Sequence, residues 1–208
     1  MKKVITILKY KHSGNTGSLK NILNSLDKSN FKIQINSSSE SILKSDALIL
    51  PGVGNFKNVL GFLEDKKLIK VIKRFIKSGK PTLAICIGMQ ILFDHSDEGN
   101  TDGLKYLKGK IIKLNSNKKL KVPSVGWYKT IKSKKNIFLK DFENHEYFYY
   151  IHSYYADINN KNILMYYFHN KKKIPSLLKF NNLICTQFHP ELSGHSGKKI
   201  FNLFLKKI

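Results

Sequence analysis

The order of apolar segments predicts an α/β fold: an open, mostly parallel sheet with helices on both faces and additional antiparallel strands in the C-terminal half. Two observations carry this. Strand-like apolar runs alternate with helix-period stripes as far as Phe93. From Lys110 onward the texture changes to short β-like runs joined by hairpins or loops.

Val4–Leu8 (VITIL) reads as a buried strand, followed by the turn-rich KHSGNTG. Leu19, Ile22, Leu23 and Leu26 then repeat at i, i+3, i+4 and i+7, one face of a helix. Phe31–Ile35 alternates as a second strand, and Ala47–Leu50 is a third that ends at PGVG, Pro51–Gly54. A helix pattern spans Leu68–Ile76 and is broken by Ser78-Gly79-Lys80-Pro81. Thr82–Ile85 is a fourth strand, and Gly88–Phe93 opens the next helix. The later β-like runs are Lys110–Lys113, Lys121–Val125, Tyr147–Tyr154, Ile163–Phe168 and Leu183–Gln187, and Ser196–Ile208 closes the chain as a helix.

Length and composition bound the function. With 208 residues, 41% of them hydrophobic, the chain is read as one domain over 1–208, large enough for a full core. No stretch is apolar enough for a membrane span and no signal peptide is visible, so a cytoplasmic protein is expected. Cys86 and Cys185 form neither a disulfide framework nor a metal-ligand spacing, and no metal or cofactor is expected. The net charge is +23, but Arg74 is the only arginine among 37 basic residues. The lysines are scattered, and phosphate forking and base reading favour arginine, so nucleic acid is not read as the partner. Such a charge suits an acidic partner or a phosphorylated substrate.

Reactive groups of an open α/β sheet collect at the carboxyl ends of its strands, where PGVG and Cys86 both fall. A cysteine on a strand–turn–helix is either a nucleophile or a buried structural thiol; the local stretch admits both. A thiolate nucleophile needs a base and a group to orient that base. Only His189, in TQFHPELSG, follows a strand and has a carboxylate two residues on, Glu191. His12, His95, His145, His169 and His195 lie in polar surroundings and read as surface residues, while His152 in YYIHSYY reads as a strand histidine. The PGVG amides at Val53 or Gly54, with that of Ile87, could form an oxyanion hole.

CIGMQ (Cys86–Gln90), FHPE (Phe188–Glu191) and PGVG together resemble class I glutamine amidotransferases, and across the whole chain the likeness narrows to the glutaminase subunits of imidazole glycerol phosphate synthases. The resemblance implies a flavodoxin-like sheet and a glutaminase reaction with Cys86, His189 and Glu191 as the triad. It also implies backbone oxyanion donors at Val53 and Ile87, and glutamine-binding positions at Gly52, Gln90, Glu98, Ser153 and Tyr154. The implied partner is a (β/α)8-barrel cyclase subunit that receives the ammonia, with Pro123, Trp127 (the sole tryptophan, expected on a loop) and Tyr149 at the interface.

The chain departs from the family pattern at Lys9, Lys11, Ser124, Val125, Tyr128 and Leu192, with one extra residue before Gly14-Asn15. The departures spare the triad and fall where the partner is expected. Two other readings stay open: the same glutaminase serving another synthase, such as one amidating a surface sugar, and a non-catalytic basic binding protein on this fold.

Overall fold

A computed structural model describes residues 2–11, 15–27, 29–116, 121–133, 136–159 and 161–208. Residues 12–14 of the predicted KHSGNTG turn, including His12 and Gly14, lie outside the described residues.

The first half runs β1 (Lys3–Leu8), α1 (Thr16–Leu26), β2 (Phe31–Asn36), α2 (Ser39–Lys44), β3 (Ala47–Leu50), α3 (Phe56–Asp65), α4 (Leu68–Lys77), β4 (Thr82–Ile85) and α5 (Ile87–Gln90). The second runs β5 (His95–Ser96), β6 (Thr101–Asp102), β7 (Lys110–Lys113), β8 (Ser124–Lys132), β9 (His145–His152), β10 (Tyr154–Asp157), β11 (Ile163–His169), β12 (Lys172–Phe180), β13 (Leu183–Thr186) and α6 (Gly194–Leu205).

A nine-stranded sheet has the order β2-β1-β3-β4-β13-β12-β11-β8-β9. Its pairs are parallel from β2 through β13 and antiparallel from β13 through β9. A smaller sheet has the order β10-β7-β5-β6. Every residue of β3, β4 and β13 is buried, as strands covered on both faces require. On one face Leu19 and Leu23 of α1 and Ile200 and Phe201 of α6 pack into the core. On the other, Ile42 of α2, Leu60 of α3 and Phe75 of α4 do so.

Register then sets the position of everything functional. Leu50 pairs with Ala84, and Ile85 with Thr186, so β3, β4 and β13 end together. The residues that leave those ends are PGVG, Cys86 and the segment carrying His189. Segments far apart in sequence meet because parallel strands share one rim.

Four local expectations are corrected. The helix expected over Gly88–Phe93 is the single turn Ile87–Gln90. The strand expected at Lys121–Val125 runs instead over Ser124–Lys132. The strand expected over Tyr147–Tyr154 breaks at Ser153 between β9 and β10. His169 is buried, with Nε2 bonded to Asn115 O at 3.0 Å, rather than on the surface.

Helices α2 and α3 and strands β5, β6 and β12 stand beyond the elements predicted from the sequence. Phe56, Val59, Leu60 and Leu63 do carry a helical stripe, and the helix start is fixed by Asn55, whose side chain caps Asn58 N–H at 3.3 Å. Pro175 argues against an interior strand at β12, since it lacks a ladder donor. It is tolerated because β13 pairs only with Leu177–Phe180, leaving Pro175 paired on one side, with Tyr166.

Candidate active site

Cys86 stands between β4 and α5 with φ 46° and ψ −110°, a left-handed backbone that a side chain rarely adopts. Such a conformation costs about 1–3 kcal/mol and persists only when its surroundings over-determine it. Here they do. Its N–H donates to Thr186 O at 2.6 Å, and its carbonyl accepts from Met89 N–H at 3.0 Å and Gln90 N–H at 2.9 Å. Gly88 serves close approach: a Cβ there would collide with the carbonyl oxygens of Leu50 and Pro51. A Cβ on Gly52 would meet Ile85 O at 2.9 Å and the Cys86 Cβ at 3.0 Å. PGVG and the cysteine turn are thus packed backbone against backbone. Ile87 begins α5, and the first N–H groups of a helix have no partner within it.

His189 is placed from β9 and β13. Its N–H donates to Tyr149 O at 2.9 Å, and Ser193 Oγ donates to its carbonyl at 2.6 Å. The preceding Phe188 stacks on Phe148 with ring centroids 3.8 Å apart. Nδ1 of His189 lies 2.8 Å from Glu191 Oε1, so Nδ1–H donates to the carboxylate and Nε2 remains for chemistry. The imidazole and Cys86 line the same cavity. Burial pushes its pKa down, but Cys86 and Glu191 outweigh this and raise it to about 10. The imidazolium is the favoured form.

Glu191 is held in turn by Asn15, whose Nδ2 donates to Oε1 at 2.6 Å, while Oε2 is buried with no hydrogen-bond partner among the described residues. Asn15, which sequence reasoning missed as a site residue, flanks the first turn of α1; only the topology brings it here.

A cavity of about 260 Å³ opens over Cys86 and His189. Of the positions implied by resemblance, Gly52, Val53, Ile87, Gln90, Glu98, Ser153, Tyr154 and Pro123 line it, and Glu191, Trp127 and Tyr149 do not. The volume suits a ligand of amino-acid size. A larger cleft of about 580 Å³, bordered by Lys140, Lys179 and Lys206, lies apart from these groups. Glu98 accepts from Asn55 Nδ2 at 2.7 Å and from Phe56 N–H at 3.1 Å, so it also anchors the start of α3. His152 lines the cavity too. Its Nδ1–H donates to Tyr154 O at 2.9 Å, and its Nε2 accepts from Tyr167 Oη at 2.8 Å. Burial lowers its pKa to about 4, which keeps the ring neutral.

Beside the cavity mouth, β8 and β9 turn one apolar face to solvent, with Val125, Trp127, Tyr147 and Ile151 exposed and Leu192 nearby in sequence to His189. Trp127 sits on a strand rather than the expected loop, 54% exposed and packed edge-on against Tyr149 at 5.8 Å. Two departures from the family pattern do not belong to this face: Ser124 is buried, and Tyr128 packs inward on Tyr150 and Tyr167.

A turn-mounted thiol sharing a cavity with an imidazole that is oriented by a buried carboxylate is equipped for acyl transfer from an amide. Residues 13–208 match the family described as glutamine amidotransferase class-I, and the chain belongs to that family. Within it, the chain is 38% identical over 196 residues, 94% of each chain, to imidazole glycerol phosphate synthase subunit HisH of Prochlorococcus marinus subsp. pastoris. The protein of that name from Lactococcus lactis subsp. lactis is 35% identical over 209 residues, 100% of each chain. Among solved structures, PurLQS from Thermotoga maritima superposes with a TM-score of 0.71 at 20% identity, covering 99% of both chains. A glutamine amidotransferase from the same organism gives 0.68 at 15% identity, covering 99% of this chain and 84% of that one. These two share the fold.

Proposed function

We propose that this chain, acting as one domain in the cytoplasm, is the glutaminase subunit of an imidazole glycerol phosphate synthase. The Cys86 thiolate attacks the side-chain amide carbon of glutamine, and the carbonyl π electrons move onto oxygen. The N–H groups of Val53 and Ile87 receive that oxyanion; one such donor is worth about 10²–10³ in rate. As the tetrahedral adduct collapses, His189 protonates the departing nitrogen and ammonia leaves a glutamyl thioester. His189 then takes a proton from water, hydroxide displaces the sulfur, and glutamate is released. Glu191 keeps the imidazole in the productive tautomer throughout. Gly52, Gln90, Glu98, Ser153 and Tyr154 hold the amino acid, the Glu98 carboxylate suiting its ammonium group.

The single observation behind this chemistry is that Cys86 and His189 face one cavity at the sheet rim, with His189 bonded to Glu191 behind it. The HisH relatives support the pathway, in which ammonia passes to a (β/α)8-barrel cyclase docked on the face of Pro123, Trp127 and Tyr149. Purified chain is mixed with a candidate cyclase, and glutamate release is measured with and without the cyclase's nucleotide ligand. Strong activation by the liganded cyclase is expected; glutamine turnover that ignores it removes the histidine-pathway reading. The exposed Val125 and Leu192, both departures, favour a second acceptor synthase in that event.

A further inference from the structure

Gln187 follows β13, is wholly buried beside the cavity, and has no part in the steps above. Its backbone N–H donates to Ser176 O at 2.8 Å, which leaves its side-chain amide to be explained. Nε2 of that amide lies 3.6 Å from the Cys86 Sγ. Its Oε1 accepts from Gln90 Nε2 at 3.1 Å, and the same Gln90 amino group donates to Tyr154 O at 2.7 Å.

The direction of this relay is fixed at one end. A main-chain carbonyl can only accept, so Tyr154 O demands the amino end of Gln90. The second N–H of that group then demands the carbonyl end of Gln187. The amino end of Gln187 is thereby turned to the sulfur. Reversing Gln90 would set oxygen against oxygen, and reversing Gln187 would set one amino group against the other, in a buried place where an unpaired polar group is costly.

We infer that Gln187 is a positioning residue that holds a hydrogen-bond donor on the Cys86 sulfur, its polarity imposed by Tyr154 O through Gln90, and so favours the thiolate over the thiol. A neutral thiol gains little from such a donor, whereas an anion gains roughly twice what a neutral acceptor does. Gln90 is shared: with its amino group engaged, only its Oε1 is left to meet a ligand. The inference rests on the reading of Cys86 as the nucleophile.

The test follows the rate of Cys86 alkylation by iodoacetamide against pH in the full chain, with the modified residue identified by peptide mass. Gln187→Met removes the donor at similar size, and Gln187→Glu keeps the shape while replacing N–H by oxygen. Both are expected to move the alkylation midpoint upward by about 1–2 pH units. Turnover at saturating glutamine should fall, with KM little changed. An unmoved midpoint in the folded variants overturns the inference.

A second measurement uses the unaltered protein with ¹⁵N-labelled glutamine side chains. The Gln187 amide resonance should titrate with the same midpoint as alkylation, and an invariant resonance overturns the inference even where neither variant folds. Failure of the unaltered protein to alkylate selectively at Cys86 overturns the nucleophile reading itself, and this role with it.

Discussion

The backbone N–H of Cys86 donates to Thr186 O at 2.6 Å, across the ends of β4 and β13. This bond joins the turn that bears the thiol to the strand that leads into Phe188 and His189. The two halves of the candidate catalytic pair are therefore referenced to the same sheet rim, and their separation follows from strand register.

That dependence makes Gly88 critical. Gly88→Ala would drive a methyl into the carbonyls of Leu50 and Pro51, so α5 must move away from β3. A destabilisation of about 1–3 kcal/mol is expected, with glutamate release lost disproportionately because Cys86 moves with the turn. Urea unfolding alongside a glutaminase assay checks both parts; unchanged activity would show that the turn has slack.

Asn15 reaches the site through Glu191. Asn15→Ala removes one hydrogen bond to a buried carboxylate, a loss of about 1–2 kcal/mol if it is felt in the transition state. A fall of roughly tenfold in kcat with little change in KM is expected, read from steady-state glutamine hydrolysis in the presence of the partner.

His189 carries a pH signature. Its folded pKa, about 10, lies above the ordinary histidine value of 6.5. The folded state therefore binds the extra proton between those values, so the contribution is complete below about pH 6.5 and is lost as pH rises toward about 10. Urea unfolding at pH 6 and pH 9 should show stability falling over that window, and the fall should shrink in His189→Gln. The same variant should lose about 10²–10⁴ in glutaminase rate.

His152 has the opposite sign. Burial above all, assisted by the charges of His169 and His189, lowers its pKa to about 4 against the bond to Tyr154 O. The unfolded chain then binds more protons between about pH 6.5 and 4, and stability falls as pH drops through that range. His152→Gln should flatten this acid limb in a thermal-melt series from pH 7 to 4. A limb of unchanged steepness would place the proton uptake elsewhere.

The local texture of the chain carried much of the fold. The apolar runs at Val4–Leu8, Ala47–Leu50 and Thr82–Ile85 became strands because both sheet faces are covered and only such runs survive there. Helix α4 was legible from its stripe and from the Ser78–Gly79 stop, where Gly79 takes φ +82°. The strand β12 was not legible, because whether Pro175 is tolerated depends on how far β13 extends beside it. In the same way, His169 sits among polar neighbours in sequence yet is buried in space.

The order of segments and the short stretches around Cys86, PGVG and His189 fixed the class of fold and the chemistry to be sought, since periodicity and turn composition act within a few residues of themselves. Tertiary structure alone decided that Asn15, Gln187 and His152 stand beside those groups, that Trp127 faces outward, and that Ser124 faces inward. The reason is physical: which segments share a sheet rim is set by strand pairing between distant parts of the chain, and no local pattern encodes that register.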